Sequence, residues 1–113
     1  MRNIHEVEVA AKTGQNYNAL TEEETKRFSF DLSNYCRDCG ECMPCPENIN
    51  IPAVMRFHDF AEIYGLSSWA GTLYGGLEVK ADRCTGCGEC EPKCPYQLPI
   101  QNKLQKAARD LSR

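Results

Sequence analysis

The chain is poor in the features that mark most functional classes. It has no apolar run long enough to cross a membrane, and its N-terminus, "MRNIHEVEVAAKTG", lacks the apolar core of an export signal. The expectation is a cytoplasmic protein with no membrane span. The formal net charge is −3, which argues against a nucleic-acid partner. There is no Ser–His–Asp set, no phosphate loop and no metalloprotease motif. No catalytic constellation of its own is therefore expected, and the chain reads as something other than an enzyme. Period-two alternation is also scarce, which disfavours a sheet-based domain.

What the chain has in excess is cysteine, with eight in 113 residues. In a small secreted chain that load suggests disulfides. Here the cysteines gather in two tight clusters, "CRDCGECMPCP" at 36–46 and "CTGCGECEPKCP" at 84–95. Repeated spacing of two residues suits chelation of one compact centre better than stapling of distant segments. The two stretches share the frame C-x-x-C-G-E-C-x-P, followed by a cysteine and a proline, and the second has one extra residue, Lys93. Two copies of one loop suggest two similar centres related by a pseudo-two-fold axis.

The spacing favours iron–sulfur over zinc. Zinc sites are usually built from two separated C-x₂₋₄-C knuckles. In C-x-x-C-x-x-C, each of three sulfurs can reach a different iron of a cubane, and loop amides can donate to sulfur. Gly40 and Gly88 let the backbone pass close or adopt positive φ. The second stretch is the bacterial ferredoxin run C-x₂-C-x₂-C-x₃-C-P, in which the fourth cysteine ligates the other cluster. Two [4Fe–4S] clusters are expected, with Cys36, Cys39, Cys42 and Cys94 on the first and Cys84, Cys87, Cys90 and Cys45 on the second. The shorter gap of Met43-Pro44, where the second loop has three residues, is the point at which this crossing is most exposed to failure.

Helical signals surround the loops. Ile4, Val7 and Ala11 fall at helical spacing and the segment ends near Gly14. "TEEETKRFSF" opens with Thr21 and Glu24 at capping-box spacing and should end before Ser33. "IPAVMRFHDFAEIYG" reads as a helix with Pro52 in its first turn, Val54, Phe57, Ala61 and Tyr64 on one face, and Gly65 as a stop. A shorter helix is expected from Ser67, carrying Trp69 and Leu73 and breaking at Gly75-Gly76. Pro99 starts a last helix with Ile100, Leu104, Ala108 and Leu111 on one stripe. "NINI" and "LEVKA" are possible extended pieces. The expected fold is mostly α, with helices packed around the two cysteine loops.

Other residues have plainer readings. His5 and His58 read as helix-surface or core residues, because eight cysteines already satisfy two clusters. Tyr35 and Tyr96 flank cluster cysteines and read as shields against water. Trp69, Phe57 and Phe60 read as core or subunit contacts, and Met43 as packing. Acids dominate up to Glu78, while bases outnumber them from Val79 onward. That imbalance reads as a solvated surface or a docking face for a charged protein partner.

The pairing of "CRDCGECMPCPENINIP" with "CTGCGECEPKCPYQLPI" closely resembles the two-[4Fe–4S] domain at the C-terminus of some aldo/keto reductase-family iron–sulfur proteins. That domain is similar to the helical ferredoxins. The resemblance covers residues 33 to 112. "MRNIHEVEVAA" resembles the end of the reductase barrel, where a final strand meets the last helix near the nicotinamide phosphates. The rest of the barrel, with its catalytic residues, has no counterpart here. Reductase activity and nicotinamide binding are therefore not implied, and Arg2 and Asn3 read as vestigial or interface residues. The resemblance implies an N-terminal helical extension over 1–32 and a dicluster helical ferredoxin-like domain over 33–113. The expected function is electron transfer, as a ferredoxin-like carrier or as a small subunit with a redox protein partner in a larger oxidoreductase. Alternatives are a non-redox docking module, or the separated C-terminal part of an aldo/keto reductase-like enzyme that needs a barrel partner. The oxygen sensitivity of such clusters hints at an anaerobic host.

Overall fold

A computed structural model describes residues 3–28 and 33–112, which fall in two compact units. In the first unit, α1 spans Ile4–Gln15 and α2 spans Glu22–Arg27. The Asn3 side chain caps α1 by accepting from the Glu6 N–H at 2.9 Å. Thr21 and Glu24 form the expected capping box on α2, the Thr21 N–H donating to the Glu24 carboxylate at 3.0 Å. That contact holds the Glu24 carboxyl below its usual range. Neither helix buries any of its own residues. The stripe Ile4, Val7, Ala11 is thus helical, yet Ile4 is 78% exposed. The helix expected to run on toward Ser33 ends at Arg27, and residues 29–32 lie outside the described residues.

The second unit holds α3 (Ile51–Glu62), α4 (Ser67–Gly75), a 3₁₀ turn (Ala81–Arg83) and α5 (Ile100–Leu111). α3 packs on both α4 and α5, and the 3₁₀ turn packs on α5. The twelve-residue helices α3 and α5 each follow a cysteine loop and share a burial pattern. Ile51, Met55 and His58 are buried along α3, and Ile100, Leu104 and Ala107 occupy the matching positions along α5. The interval of four and then three residues keeps these side chains on one stripe. On α3 the buried face is therefore centred on Ile51, Val54, Met55 and His58. It is rotated from the expected stripe of Val54, Phe57, Ala61 and Tyr64. Phe57 and Ala61 are half-buried, and Tyr64 lies beyond the helix end and is exposed.

His58 is the buried polar residue of this core. Its Nε2 donates to Asp110 Oδ2 at 3.0 Å, and its Nδ1 lies 3.6 Å from Glu62 Oε2. Lys106 pairs with the same Glu62. The four side chains strap α3 to α5, and a buried imidazole with polar partners avoids the cost of an unsatisfied group.

The two expected extended pieces are not strands, and no strand occurs among the described residues. "NINI" is irregular and its Ile51 begins α3, with the Asn50 side chain accepting from the Ala53 N–H at 3.2 Å. In "LEVKA", Lys80 folds back and donates to the Gly75 and Leu77 carbonyls at 2.9 and 3.2 Å. The buried Tyr74 hydroxyl accepts the Ala81 N–H at 2.9 Å. Helix capping thus uses the polar groups that a sheet ladder would have needed. Trp69, read as core or contact, is half-exposed and stacks on Phe60 at 5.0 Å between centroids. Part of the basic C-terminal stretch is engaged within the chain, through Lys80 at α4 and Lys106 on Glu62. No helix of the described residues is long and apolar enough to cross a membrane.

Candidate metal centres

The two cysteine loops repeat one backbone shape. Asp38 and Gly86, each two residues past the first cysteine, have φ of 57° and 73°. Gly40 and Gly88, each just after the second cysteine, have φ of 77° and 79°. Three residues past the fourth cysteine, Asn48 and Gln97 sit at 56° and 53°. The N–H of each of these last residues donates to the carbonyl of its fourth cysteine, at 2.9 Å for Asn48 to Cys45 and 3.1 Å for Gln97 to Cys94. Left-handed positions at such short intervals curl the chain so that successive cysteines face one point. Glycine carries them at Gly40 and Gly88 without a Cβ penalty. In the first loop the strained Asp38 is tied to α3 by an ion pair with Arg56.

Cysteine exposure follows the same symmetry. Cys39 and Cys87 are exposed, Cys42 and Cys90 are buried, and the other four are intermediate. None of the eight is joined to another in a disulfide.

Two small cavities lie against these loops, each with about 340 Å³ of atom-free space including its mouth. The first is lined by Cys36, Cys39, Cys42 and Cys94, with Ile51, Met55, Leu98 and Ile100 behind them and Arg37 and Tyr96 at the side. The second is lined by Cys45, Cys84, Cys87 and Cys90, with Ile51 and Leu104 behind and Glu47, Thr85 and Gln101 at the side. Each cavity thus gathers three cysteines from one loop and the last cysteine of the other. The Met43–Pro44 peptide bond in the shorter gap is cis. Despite their different lengths, both gaps end with the fourth cysteine lining the cavity of the other loop. Ile51, at 1% exposure, forms a wall common to both cavities.

The thiols are electrostatically crowded. Burial pushes the Cys36 thiol up, and the neighbouring Asp59, Cys39 and Cys94 add to this, partly offset by Lys103. Burial pushes Cys42 up to about 11, with further repulsion from Cys36, Cys90 and Cys39. Cys90 is raised by burial and by Glu91, Cys84 and Cys87. Cys36, Cys42 and Cys90 are thus disfavoured as bare thiolates. A bound iron centre would offset that charge, because its cationic iron favours the deprotonated ligand. The donor set is all sulfur, which suits soft iron–sulfur chemistry. The residues present therefore fit a cubane at each cavity.

Several wall residues escaped the sequence reading. Tyr96 lines the first cavity, and the Arg37 guanidinium sits 4.5 Å above its ring. Tyr35 lines neither cavity and lies beneath Lys103 instead, 5.8 Å from its ammonium. Met43 packs against the core. The Gln101 side chain lies against the second loop, where a Cβ on Gly86 or Gly88 would come within 3.4 Å of its amide. Its backbone N–H donates to Glu91 Oε1 at 3.1 Å, so a loop carboxylate caps the start of α5. The one usable signal for the wall pairs was the repeat itself. Aligning the two loops puts Arg37 opposite Thr85, and Tyr96 opposite Glu47.

Comparison with known proteins bears on the same two stretches. Models of a 4Fe-4S binding domain match residues 33–55 and residues 77–99. The chain is similar to the alpha 1 subunit of the acetyl-CoA decarbonylase/synthase complex of Methanosarcina barkeri, at 37% identity over 75 residues, covering 66% of this chain and 8% of that one. It is also similar to a CoB--CoM heterodisulfide reductase iron-sulfur subunit of Methanopyrus kandleri, at 28% identity over 69 residues, covering 55% of this chain and 10% of that one. The chain thus spans a tenth or less of the length of these relatives. No solved structure matches it. The aldo/keto reductase part of the resemblance has no counterpart among these matches. The matched domains and the eight cysteines agree on the outcome: the chain carries a mostly helical, ferredoxin-like iron–sulfur domain that binds two [4Fe–4S] clusters.

Proposed function

We propose that the chain transfers electrons in the cytoplasm, as a carrier or as the electron-transfer part of a larger oxidoreductase, and has no catalytic site of its own. Cys36, Cys39, Cys42 and Cys94 hold one cluster, and Cys84, Cys87, Cys90 and Cys45 hold the other. The observation that carries this reading is the make-up of the two cavities, each lined by three cysteines of one loop and the fourth of its counterpart. A bound [4Fe–4S] cluster supplies one-electron transfer without bond making. The chain's own residues supply the rest. The thiolates bind, the curled loops bring the cysteines to one cavity, and Met55, Leu98, Ile100 and Leu104 exclude water. Ile51 lines both sites, which makes them neighbours and supports electron exchange between them. The relatives are named as parts of complexes or as iron-sulfur subunits, which supports a protein partner.

The test pairs substitutions. The native protein, prepared without oxygen, should contain about eight iron and eight acid-labile sulfide per chain. Cys36→Ser with Cys94→Ser should strip one site and leave about four iron, because both ligands serve the same cluster. Cys84→Ser with Cys94→Ser should strip both sites. The reverse pattern would sink the crossed assignment, and zinc without sulfide would sink the whole reading.

A second reading rests on the resemblance to aldo/keto reductase-family iron–sulfur proteins. The apolar residues Ile4, Val7 and Val9 of α1 are at least half exposed. A helix of that kind suits packing against a barrel partner. Copurification with a barrel protein would favour it.

A further inference from the structure

The repeat places two equivalent side-chain pairs at the two cavities. The residue after the first cysteine of each loop meets the residue two past the incoming fourth cysteine. At the first cavity these are Arg37 and Tyr96, with the guanidinium 4.5 Å above the ring. At the second they are Thr85 and Glu47, with the hydroxyl donating to the carboxylate at 3.4 Å. The apolar walls overlap in part: Ile51 serves both, Leu104 stands in the second where Met55 stands in the first, and Leu98 and Ile100 line the first alone. The walls also differ in charge: cationic at the first cavity and anionic at the second.

Other charges nearby do not cancel this contrast. Asp38 is paired with Arg56. Asp59 and Lys103 both act on Cys36, with opposite signs. Arg83 precedes Cys84 but lies outside the wall, whereas Arg37, likewise exposed, lines it. Glu91, next to Cys90, adds a second carboxylate on the anionic side. Gln101 offers the second site an amide dipole, weaker than a charge.

Reduction adds one negative charge to a site, and the net charge and hydrogen bonding around it set how readily that happens. On this ground, and resting on the two-cluster electron-transfer reading above, we propose that Arg37 and Glu47 order the two sites. The cavity walled by Arg37 accepts an electron first, and the cavity walled by Glu47 accepts one at a lower potential. The electron comes from a one-electron reductant and leaves to a one-electron acceptor. No proton, bond or leaving group is involved.

The test is a potentiometric titration of the full-length, anaerobic holoprotein with dithionite, followed by electron paramagnetic resonance. Two separate reduction waves are expected. Arg37→Gln should move the upper wave down and leave the lower one in place, while Arg37→Lys should keep it near its native position. Glu47→Gln should move the lower wave up. Iron and sulfide are measured on each variant. If Arg37→Gln loses a cluster, the Glu47→Gln shift decides. The ordering is overturned if Arg37→Gln moves the lower wave, if Glu47→Gln moves the upper one, or if Glu47→Gln moves neither. Native iron and sulfide with one wave that no substitution divides or shifts would remove the ordering alone. A native protein whose clusters accept no electron would remove the electron-transfer reading, and the ordering with it.

Discussion

Asp38 and Gly86 occupy the same left-handed position in the two halves of the iron–sulfur domain, and Asn48 and Gln97 occupy another. In both cases the backbone is shared while the residue type differs. The same holds for the helices that follow, where His58 of α3 stands where α5 has Ala107. Cluster binding constrains the path of the chain and the eight sulfurs. It leaves the walls free, and there the halves diverge in charge and polarity. A duplicated loop can therefore hold two chemically identical centres in two unlike settings.

The sharpest way to break this comparison is at Ile51. It lines both cavities, whereas its counterpart Ile100 lines only the first. Ile51→Ala and Ile100→Ala should each cost roughly 2–5 kcal/mol in chemical unfolding of the loaded protein, since each empties a filled core position. Ile51→Ala should also perturb the magnetic resonance signals of both clusters, and Ile100→Ala those of the first alone. Equal spectral effects would mean that the shared wall is not where the two halves differ.

A smaller effect is expected at the α3–α5 strap, which has no counterpart at Ala107. His58→Ala should cost about 1–3 kcal/mol by removing a buried, hydrogen-bonded ring. Its pH dependence has a definite sign. The hydrogen bond from His58 holds the Asp110 carboxyl below its usual range, and Lys106 does the same for Glu62. A lowered carboxyl contributes stability above its unfolded pKa, and that contribution is lost as pH falls through the folded value. The gap between native and His58→Ala protein should therefore narrow below about pH 4. A gap that stays constant on acidification would show that His58 acts by packing alone.

The smallest effect concerns the matched pair Asn48 and Gln97. Asn tolerates left-handed backbone better than Gln. Gln97→Gly should then stabilise the protein by roughly 0.5–1 kcal/mol, and Asn48→Gly by less. Unfolding midpoints with unchanged denaturant slopes would measure both. A larger gain at Asn48 would contradict the shared backbone geometry.

Much of the centre was legible in the chain. Both cysteine runs, the two glycines and the capping box at Thr21 are local patterns, and local patterns report on short loops and helix ends. The same reasoning misplaced the buried stripe of α3 by assigning Tyr64 to it, because helical periodicity does not say which arc faces the core. His58 could not be read as a buried strap, since its partner Asp110 is 52 residues away. "LEVKA" looked extended for a related reason. Its Lys80 side chain caps α4 and its Ala81 N–H meets the Tyr74 hydroxyl, and both depend on where α4 ends.

The sequence by itself determined the cofactor chemistry, the number of centres and the helical setting. Ligand type and spacing act within a dozen residues, and they favour iron–sulfur over zinc whatever the rest of the chain does. Only the tertiary structure decided what surrounds each centre. It brought Arg37 onto Tyr96 and Thr85 onto Glu47, and it set Ile51 between the two cavities. Those neighbours come from segments tens of residues apart. Their contact depends on the packing of α3 against α5, which no local pattern encodes.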